Sequence, residues 1–230
     1  MCNLYSVNTN VEALRALVGL FRVADGIGNL PPQPGVFPDY PAPIVRNTPT
    51  GAELAQVRWG MPTPPKFLEG KRTDPGVTNV RNTSSPHWRR WTGVESRCVV
   101  PFTSFSEFDN TVDPATGKKR GDTWFAFDAS RPLAVFAGIY TSAWSSTRKL
   151  KEGPVTCDLF AFLTTEPNDV VGSIHMKAMP VILTRPDEIK TWLTAPWEQA
   201  KALQRPLPPG ALEIVAVGPK ADARPDLEVL

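Results

Sequence analysis

The chain is poor in the residues that build metal centres and disulfide frameworks. It has three cysteines and two histidines in 230 residues. Cys2, Cys98 and Cys157 form no CxxC pair and have no histidine close by in sequence, so the spacing offers no structural zinc site. An odd cysteine count without a signal peptide fits a reducing cytoplasm rather than a secreted disulfide scaffold. Net charge is only +2, which argues against a strongly basic duplex binder and leaves room for a local basic groove. No apolar run is long enough to cross a bilayer; the strongest, Leu133 to Tyr140, is far too short. No internal repeat or long low-complexity tract is present. Neither a cofactor, a metal nor a membrane is expected.

What remains is an ordinary globular composition, 41% hydrophobic and 21% charged, able to bury a core. Proline is abundant at 25 residues, and the early cluster through Pro31, Pro34, Pro41 and Pro43 predicts an extended loop over residues 24–43. A short strand is expected at 2–7. A helix follows at 11–21, capped by Asn10, with Val11, Leu14, Val18 and Phe21 at helical spacing. Short runs rich in β-branched and aromatic residues predict strands at 53–59, 97–105, 123–128, 133–140, 156–163 and 178–183. Helices come late, after Pro186 and over 196–203, before a closing strand at 212–217. Many strands and few helices predict an α+β fold with a curved, mostly antiparallel sheet or barrel-like core and a few peripheral helices. One domain should span residues 1–217, followed by a polar tail at 218–230.

Chemistry is concentrated in a few places. If Met1 is removed, Cys2 presents an α-amine and a thiol on one carbon skeleton. The amine has a pKa near ~7.7–8.0, so a useful fraction is neutral at pH 7. Such an aminothiol can form an imine with an aldehyde and close to a thiazolidine, although one cysteine alone is weak evidence. His175, at the mouth of an apolar strand, has the ring for proton transfer near neutral pH, and also reads, more ordinarily, as a hydrogen-bonded surface or core histidine. Glu107 lies among aromatics after a strand, where desolvation would raise its pKa; an exposed loop carboxylate explains it equally well. Asn79 and Arg81 could hold an amine and a phosphate, or belong to a plain polar loop. His87-Trp88-Arg89-Arg90-Trp91 interleaves cations with flat rings, as single-stranded nucleic-acid binders do. The same run also reads as a solvated helix with both tryptophans facing the core. Lys118-Lys119-Arg120 and Arg148-Lys149-Lys151 read as exposed loop charges.

Taken in order, these segments resemble the SOS response-associated peptidase (SRAP) family. Met1-Cys2-Asn3-Leu4-Tyr5 resembles the family's Met-Cys-Gly-Arg-Tyr opening, and Asn79-Val80-Arg81-Asn82-Thr83 its Asn-Ala-Arg-Ala-Glu. Arg97-Cys98-Val99-Val100-Pro101 with Ser104-Phe105-Ser106-Glu107-Phe108 resembles Arg-Cys-Leu-Val-Pro…Gly-Phe-Tyr-Glu-Trp. Phe136-Ala137-Gly138 and Ile174-His175 with Met179 to Leu183 continue the series, and Trp59-Gly60-Met61-Pro62 matches a Trp-Gly-Leu-Ile-Pro corner in part.

The resemblance implies a sensor of abasic sites in single-stranded DNA. The protein would act as a cytoplasmic monomer and crosslink to the ring-opened sugar aldehyde. By that likeness Cys2, Asn79, Glu107 and His175 are catalytic. The Cys2 amine attacks and its thiol closes the ring, and Asn79 holds the amine or sugar. Glu107 moves protons, and His175 protonates the sugar oxygen as the ring opens. Arg81, Trp59, Phe108, Trp88, Arg89, Arg90 and Lys177 are the expected DNA contacts. The chain departs from the pattern at Asn3-Leu4, at Phe108 in place of tryptophan, at Thr83 and at Lys177, with one extra residue between His175 and Met179. Two other readings use the same residues. One is an N-terminal-nucleophile cysteine peptidase that removes its own Met1; the other is a non-catalytic single-stranded DNA module. Imine chemistry at an abasic site also admits some lyase activity.

Overall fold

The computed structural model describes residues 2–222. Among the described residues fourteen strands run in chain order as β1 (Leu4–Val7), β2 (Arg22–Val23), β3 (Gln33–Val36), β4 (Pro41–Thr48), β5 (Gly51–Trp59), β6 (Asn79–Val80), β7 (Arg97–Phe102), β8 (Ser104–Val112), β9 (Lys119–Ala126), β10 (Ala134–Thr147), β11 (Pro154–Thr165), β12 (Met179–Pro180), β13 (Ile182–Leu183) and β14 (Glu213–Gly218). Five short α-helices join them: α1 (Val11–Val18), α2 (Pro86–Arg89), α3 (Asp169–Gly172), α4 (Pro186–Thr194) and α5 (Trp197–Ala200).

The strands make a five-stranded barrel and a separate five-stranded antiparallel sheet. In the barrel β5, β4, β7, β10 and β11 pair antiparallel in that order, and a parallel pairing of Leu159 and Phe160 on β11 with Arg58 and Trp59 on β5 closes it. The second sheet has the order β14-β9-β8-β1-β3. The expected α+β, mostly antiparallel, barrel-like architecture is what the chain adopts.

Alternation along the barrel strands sorts the core into two layers. Phe136 and Tyr140 on β10, with Phe160 and Phe162 on β11, join the interior cluster that holds Tyr5 and Trp59. Val135, Ala137 and Ile139, with Leu159, Ala161 and Leu163, face the opposite way, into a cluster covered by Leu14 of α1 and Trp192 of α4. Successive side chains point to opposite faces, and both faces are buried, so these strands read as continuous apolar runs.

Three expectations are corrected. The proline-rich segment 24–43 is not all loop, because Pro34 lies in β3 and Pro41 and Pro43 in β4. Pro41 and Pro43 pair only with β5, and β4 meets β7 from Val45 onward, so neither proline needs to donate on a second side. The strand expected over 97–105 breaks at Thr103, whose N–H donates to Ser6 O at 2.8 Å and turns the chain from barrel to sheet. The polar tail expected from residue 218 begins as packed structure. Asp222 is buried, pairs with Arg131 at 2.6 Å and accepts a hydrogen bond from the Ser104 hydroxyl. Residues 223–230 of that tail lie outside the described residues.

Arg148 is also buried rather than a loop charge. Its guanidinium donates to Gly60 O and sits 3.5 Å from Asp74. It passes over Gly76, where a Cβ would lie 2.1 Å from Arg148 Nη1 and where φ is +76°, so two constraints exclude a side chain there. Lys118, Lys119 and Arg120, by contrast, are exposed as expected. Among the described residues no helix is long and apolar enough to cross a membrane.

Candidate active site

The site forms where β1 enters the second sheet. β1 pairs with β8 in the register Leu4 to Ser106 and Tyr5 to Phe105, which brings the residues just before Leu4 alongside those just after Ser106. Cys2 and Glu107 therefore share one end of the same ladder. Glu107 lies two residues from Phe105 on β8 and faces the same side, toward the apolar interior. Its side chain is only 4% exposed, and this burial raises its pKa to about 7. The Cys2 thiol is fully buried as well and donates to Leu4 O at 3.4 Å. Burial, with the Glu107 charge beside it, pushes that thiol well above the ordinary cysteine range.

Asn79 arrives from another direction. It lies on β6, which pairs parallel with β11 opposite Phe162. The buried Asn79 Nδ2 donates to Cys2 O at 2.7 Å and to Thr78 Oγ1 at 2.7 Å. Asn79 Oδ1 is buried without a hydrogen-bond partner among the described residues, so an acceptor beside Cys2 is left for an incoming donor. The Thr78 hydroxyl donates onward to Asn3 Oδ1 at 3.0 Å. His175 follows α3, with its N–H bonded to Val171 O at 2.7 Å, and places Nδ1 3.9 Å from Glu107 Oε2. Partial burial and the neighbouring Lys177 charge lower the His175 pKa, so its imidazole is mostly neutral at pH 7.

A cleft of about 450 Å³ opens at this point, lined by Asn3, Leu4, Phe37, Glu107, Phe108 and His175 together with Asp122 and Lys220. Its lining is mixed in charge rather than basic. Glu107 and Asp122 face His175 and Lys220, and burial raises the Asp122 pKa in turn. Two further cations lie outside this lining. Arg81 reaches Lys177 O at 3.3 Å and pairs with Glu166 at 2.7 Å, while Lys177 is exposed. A phosphate at Arg81 would have to compete with Glu166.

The structure thus brings Cys2, Asn79, Glu107 and His175 together from four distant segments, with Arg81, Lys177 and Phe108 around them. Phe108 is 48% exposed, where a flat face can meet a base. Trp59 is not available for that. It is fully buried against Tyr5, Phe160 and Phe162, and its Nε1 donates to Thr78 O at 3.0 Å. It supports the Thr78–Asn79 segment from behind instead. Trp88 and Trp91 are buried too, in the outer core layer, so neither offers a stacking face; Arg89 and Arg90 beside them are exposed. That run lies outside the cleft lining. Thr78 and Tyr5 were not among the expected site residues. Tyr5, already part of the family-like opening, lies beneath Cys2 with its hydroxyl buried and without a hydrogen-bond partner among the described residues. Among the described residues no group of His, Cys, Asp and Glu is arranged to hold a metal ion.

This architecture defines a small β-barrel protein in which Cys2, Asn79, Glu107 and His175 gather at the first strand. The sequence model of the SOS response associated peptidase (SRAP) family matches residues 1–222, and the chain belongs to that family. A protein from Bordetella bronchiseptica with a solved structure is 22% identical, with a TM-score of 0.67 over 95% of this chain and all of that one. One from Bacteroides thetaiotaomicron is 21% identical, with a TM-score of 0.67 over 92% of this chain and 90% of that one. A phage-related protein from Bordetella bronchiseptica is 20% identical, with a TM-score of 0.61 over 88% and 87%. These likenesses establish the shared fold. No curated protein matches the chain.

Proposed function

We propose that the protein captures abasic sites in single-stranded DNA through a thiazolidine formed by the amine and thiol of Cys2, once Met1 has been removed. One observation carries the reading: the Cys2 carbonyl is held at 2.7 Å by Asn79, and a carboxyl of raised pKa lies alongside. The amine adds to the sugar aldehyde and water leaves, giving an imine. The thiol then adds across the C=N bond, with a new C–S bond formed and the thiol proton delivered to nitrogen.

No oxidant is needed. Free aminothiols react this way unaided, so the fold supplies proximity and correctly placed protons. Glu107 suits both directions, since at about pH 7 a proton is as easily taken as given. It is also the base that the buried, reluctant Cys2 thiol requires. His175, mostly neutral, donates an N–H toward the sugar oxygen during ring opening rather than standing as a permanent imidazolium. Arg81 and Lys177 hold flanking phosphates, and Phe108 takes a neighbouring base.

A second reading places the buried Cys2 beside Glu107 in an intramolecular removal of Met1, which needs no access from solvent. The test incubates purified protein with an abasic single strand and follows a denaturant-stable adduct by gel shift and mass spectrometry. Cys2→Ala should form none, and a normal yield from it would overturn the mechanism. The intact mass of Glu107→Gln reads the second question: retained Met1 supports self-processing, and its loss assigns trimming to another enzyme.

A further inference from the structure

We infer that Lys220 gives the cleft a binding site for a single anionic group, so that the Cys2 aminothiol also captures small aldehydes carrying one phosphate or carboxylate. Such capture rests on the aminothiol reading of Cys2 and adds a second class of substrate to it. The cleft, at about 450 Å³, falls in the range of small-molecule sites, about 300–1,000 Å³. Its charges are few and mixed. Among the described residues Lys220 is the one lysine or arginine in the lining, set against the acids Glu107 and Asp122. Lys220 is exposed, and among the described residues it makes no ion pair. A strand with a phosphate at every nucleotide meets two acids here. A ligand with one anion meets Lys220 and leaves the acids to its hydroxyls. Asp122 accepts only a long hydrogen bond from Ser106 Oγ, at 3.4 Å, so it has acceptor capacity to spare.

The position of Lys220 is built into the fold. β14 ends at Gly218, opposite Asp122 on β9, where φ is +105°. Pro219 O then accepts a hydrogen bond from Trp124 Nε1 at 2.8 Å, and Asp222 N donates to Pro34 O at 2.8 Å. Between these two clamps the chain passes so close to β3 that a Cβ on Gly35 would lie 3.1 Å from Lys220 O. Asp222 is held in turn by Arg131 at 2.6 Å, and its carbonyl accepts from Ser6 Oγ and Asn8 Nδ2, each at 3.1 Å. The chain is thus fixed on both sides of Lys220, and binding an anion orders one side chain rather than a loop.

The covalent step is the same as with a sugar aldehyde. The amine and the aldehyde give an imine and one water, and the thiol adds across the C=N bond with its proton passing to nitrogen. Nothing is oxidised or reduced. An anion held at Lys220 keeps the carbonyl in the cleft and raises its effective concentration beside Cys2.

The test uses the full chain, shown by intact mass to begin at Cys2. Glyoxylate and glyceraldehyde 3-phosphate are the charged probes, of short and longer reach, and glycolaldehyde is the neutral one. An adduct appears as a gain of the aldehyde's mass less one water. Each rate is divided by that of free cysteine with the same aldehyde, which removes intrinsic reactivity. The wild type should then favour at least one charged probe over the neutral one by about fivefold, the most that one solvent-facing ion pair usually contributes. Lys220→Gln should abolish this preference and Lys220→Arg should keep it. Equal ratios in the wild type and Lys220→Gln overturn the inference. So does a Lys220→Gln protein slowed only on an abasic strand, because the lysine would then serve a DNA phosphate. Adducts with the strand but with no small aldehyde overturn this inference alone. Adducts with neither overturn the aminothiol reading of Cys2 as well.

Discussion

The candidate cleft and the run at residues 87–91 are opposites in how sequence relates to structure. In the cleft the candidate residues are scattered along the chain and meet only because β1 pairs with β8 and β6 pairs with β11. In the run the suggestive residues are contiguous, yet the fold turns Trp88 and Trp91 inward and leaves Arg89 and Arg90 outside. A run of neighbouring residues shares composition but not direction. On a one-turn helix adjacent side chains face different ways, so the run separates into a core half and a solvent half. Buried polar groups mark the cleft, exposed cations beside buried rings mark the run, and the two should respond differently to mutation.

The largest difference is expected in catalysis. Glu107→Gln keeps the shape of the cleft but removes proton transfer, and should slow adduct formation by about 10²–10⁴-fold. Quenched gel assays on an abasic strand at saturating protein read this rate. Arg89→Ala and Arg90→Ala, whose side chains lie outside the cleft lining, should leave that saturated rate unchanged. Comparable loss of the saturated rate from both regions would erase the distinction.

Stability should divide the other way. Trp91→Ala removes a buried ring packed against Trp88 and Trp144, and large-to-small changes of this kind cost about 3–5 kcal/mol. Chemical denaturation should show that loss, whereas Arg89→Ala and Arg90→Ala should each stay within about 0.5 kcal/mol. A small effect at Trp91 would mean that the ring is free to serve as a binding face after all.

The cleft carries a stability signature of its own in pH. The folded state holds the Glu107 proton up to about pH 7, against a reference near 4.5. The folded protein therefore binds more protons than the unfolded chain between those values, and stability falls as pH rises through that window, then levels off. At 1.36 kcal/mol per unit the ceiling is about 3 kcal/mol. His175, shifted down, opposes this below about pH 6.5, since there the unfolded chain binds more protons. Glu107→Gln should remove the decline and leave the histidine slope. An unchanged decline in that variant would place its origin elsewhere.

Much of the frame was legible because both faces of the barrel strands are buried, so runs such as Leu133 to Tyr140 are apolar throughout. Glu107 was legible as a site candidate because its aromatic neighbours foretold desolvation. What stayed hidden depends on direction and partnership. Nothing local shows that Trp59 points inward to hold Thr78, since that follows from the closure of β5 onto β11. The same holds for Arg148, whose two carbonyl acceptors, Gly60 and Asp74, come from distant chain segments. The charge of the cleft was hidden for a further reason. Asp122 and Lys220 enter through β9 and the segment after β14, neither of which carries a recognisable motif.

Phe108 gives the smallest and most selective comparison between the regions. It is an aromatic the fold leaves outside, on the lip of the cleft, with Lys119 Nζ 5.9 Å from its ring centroid. Because it is half exposed, Phe108→Ala should change stability by no more than about 0.5 kcal/mol. Base stacking on an aromatic face contributes ~1–3 kcal/mol, and at the low end of that range, which suits a half-exposed ring, the same change should weaken single-strand binding by about fivefold. Phe108→Trp, the residue the family places here, should strengthen it. Stacking is insensitive to salt, so the slope of binding against salt, read by fluorescence anisotropy, should stay at its wild-type value in both Phe108 variants, whereas Arg81→Ala should lower it. A Phe108→Ala protein that binds normally would leave the cleft without its flat contact and shift the grip on DNA to Arg81 and Lys177.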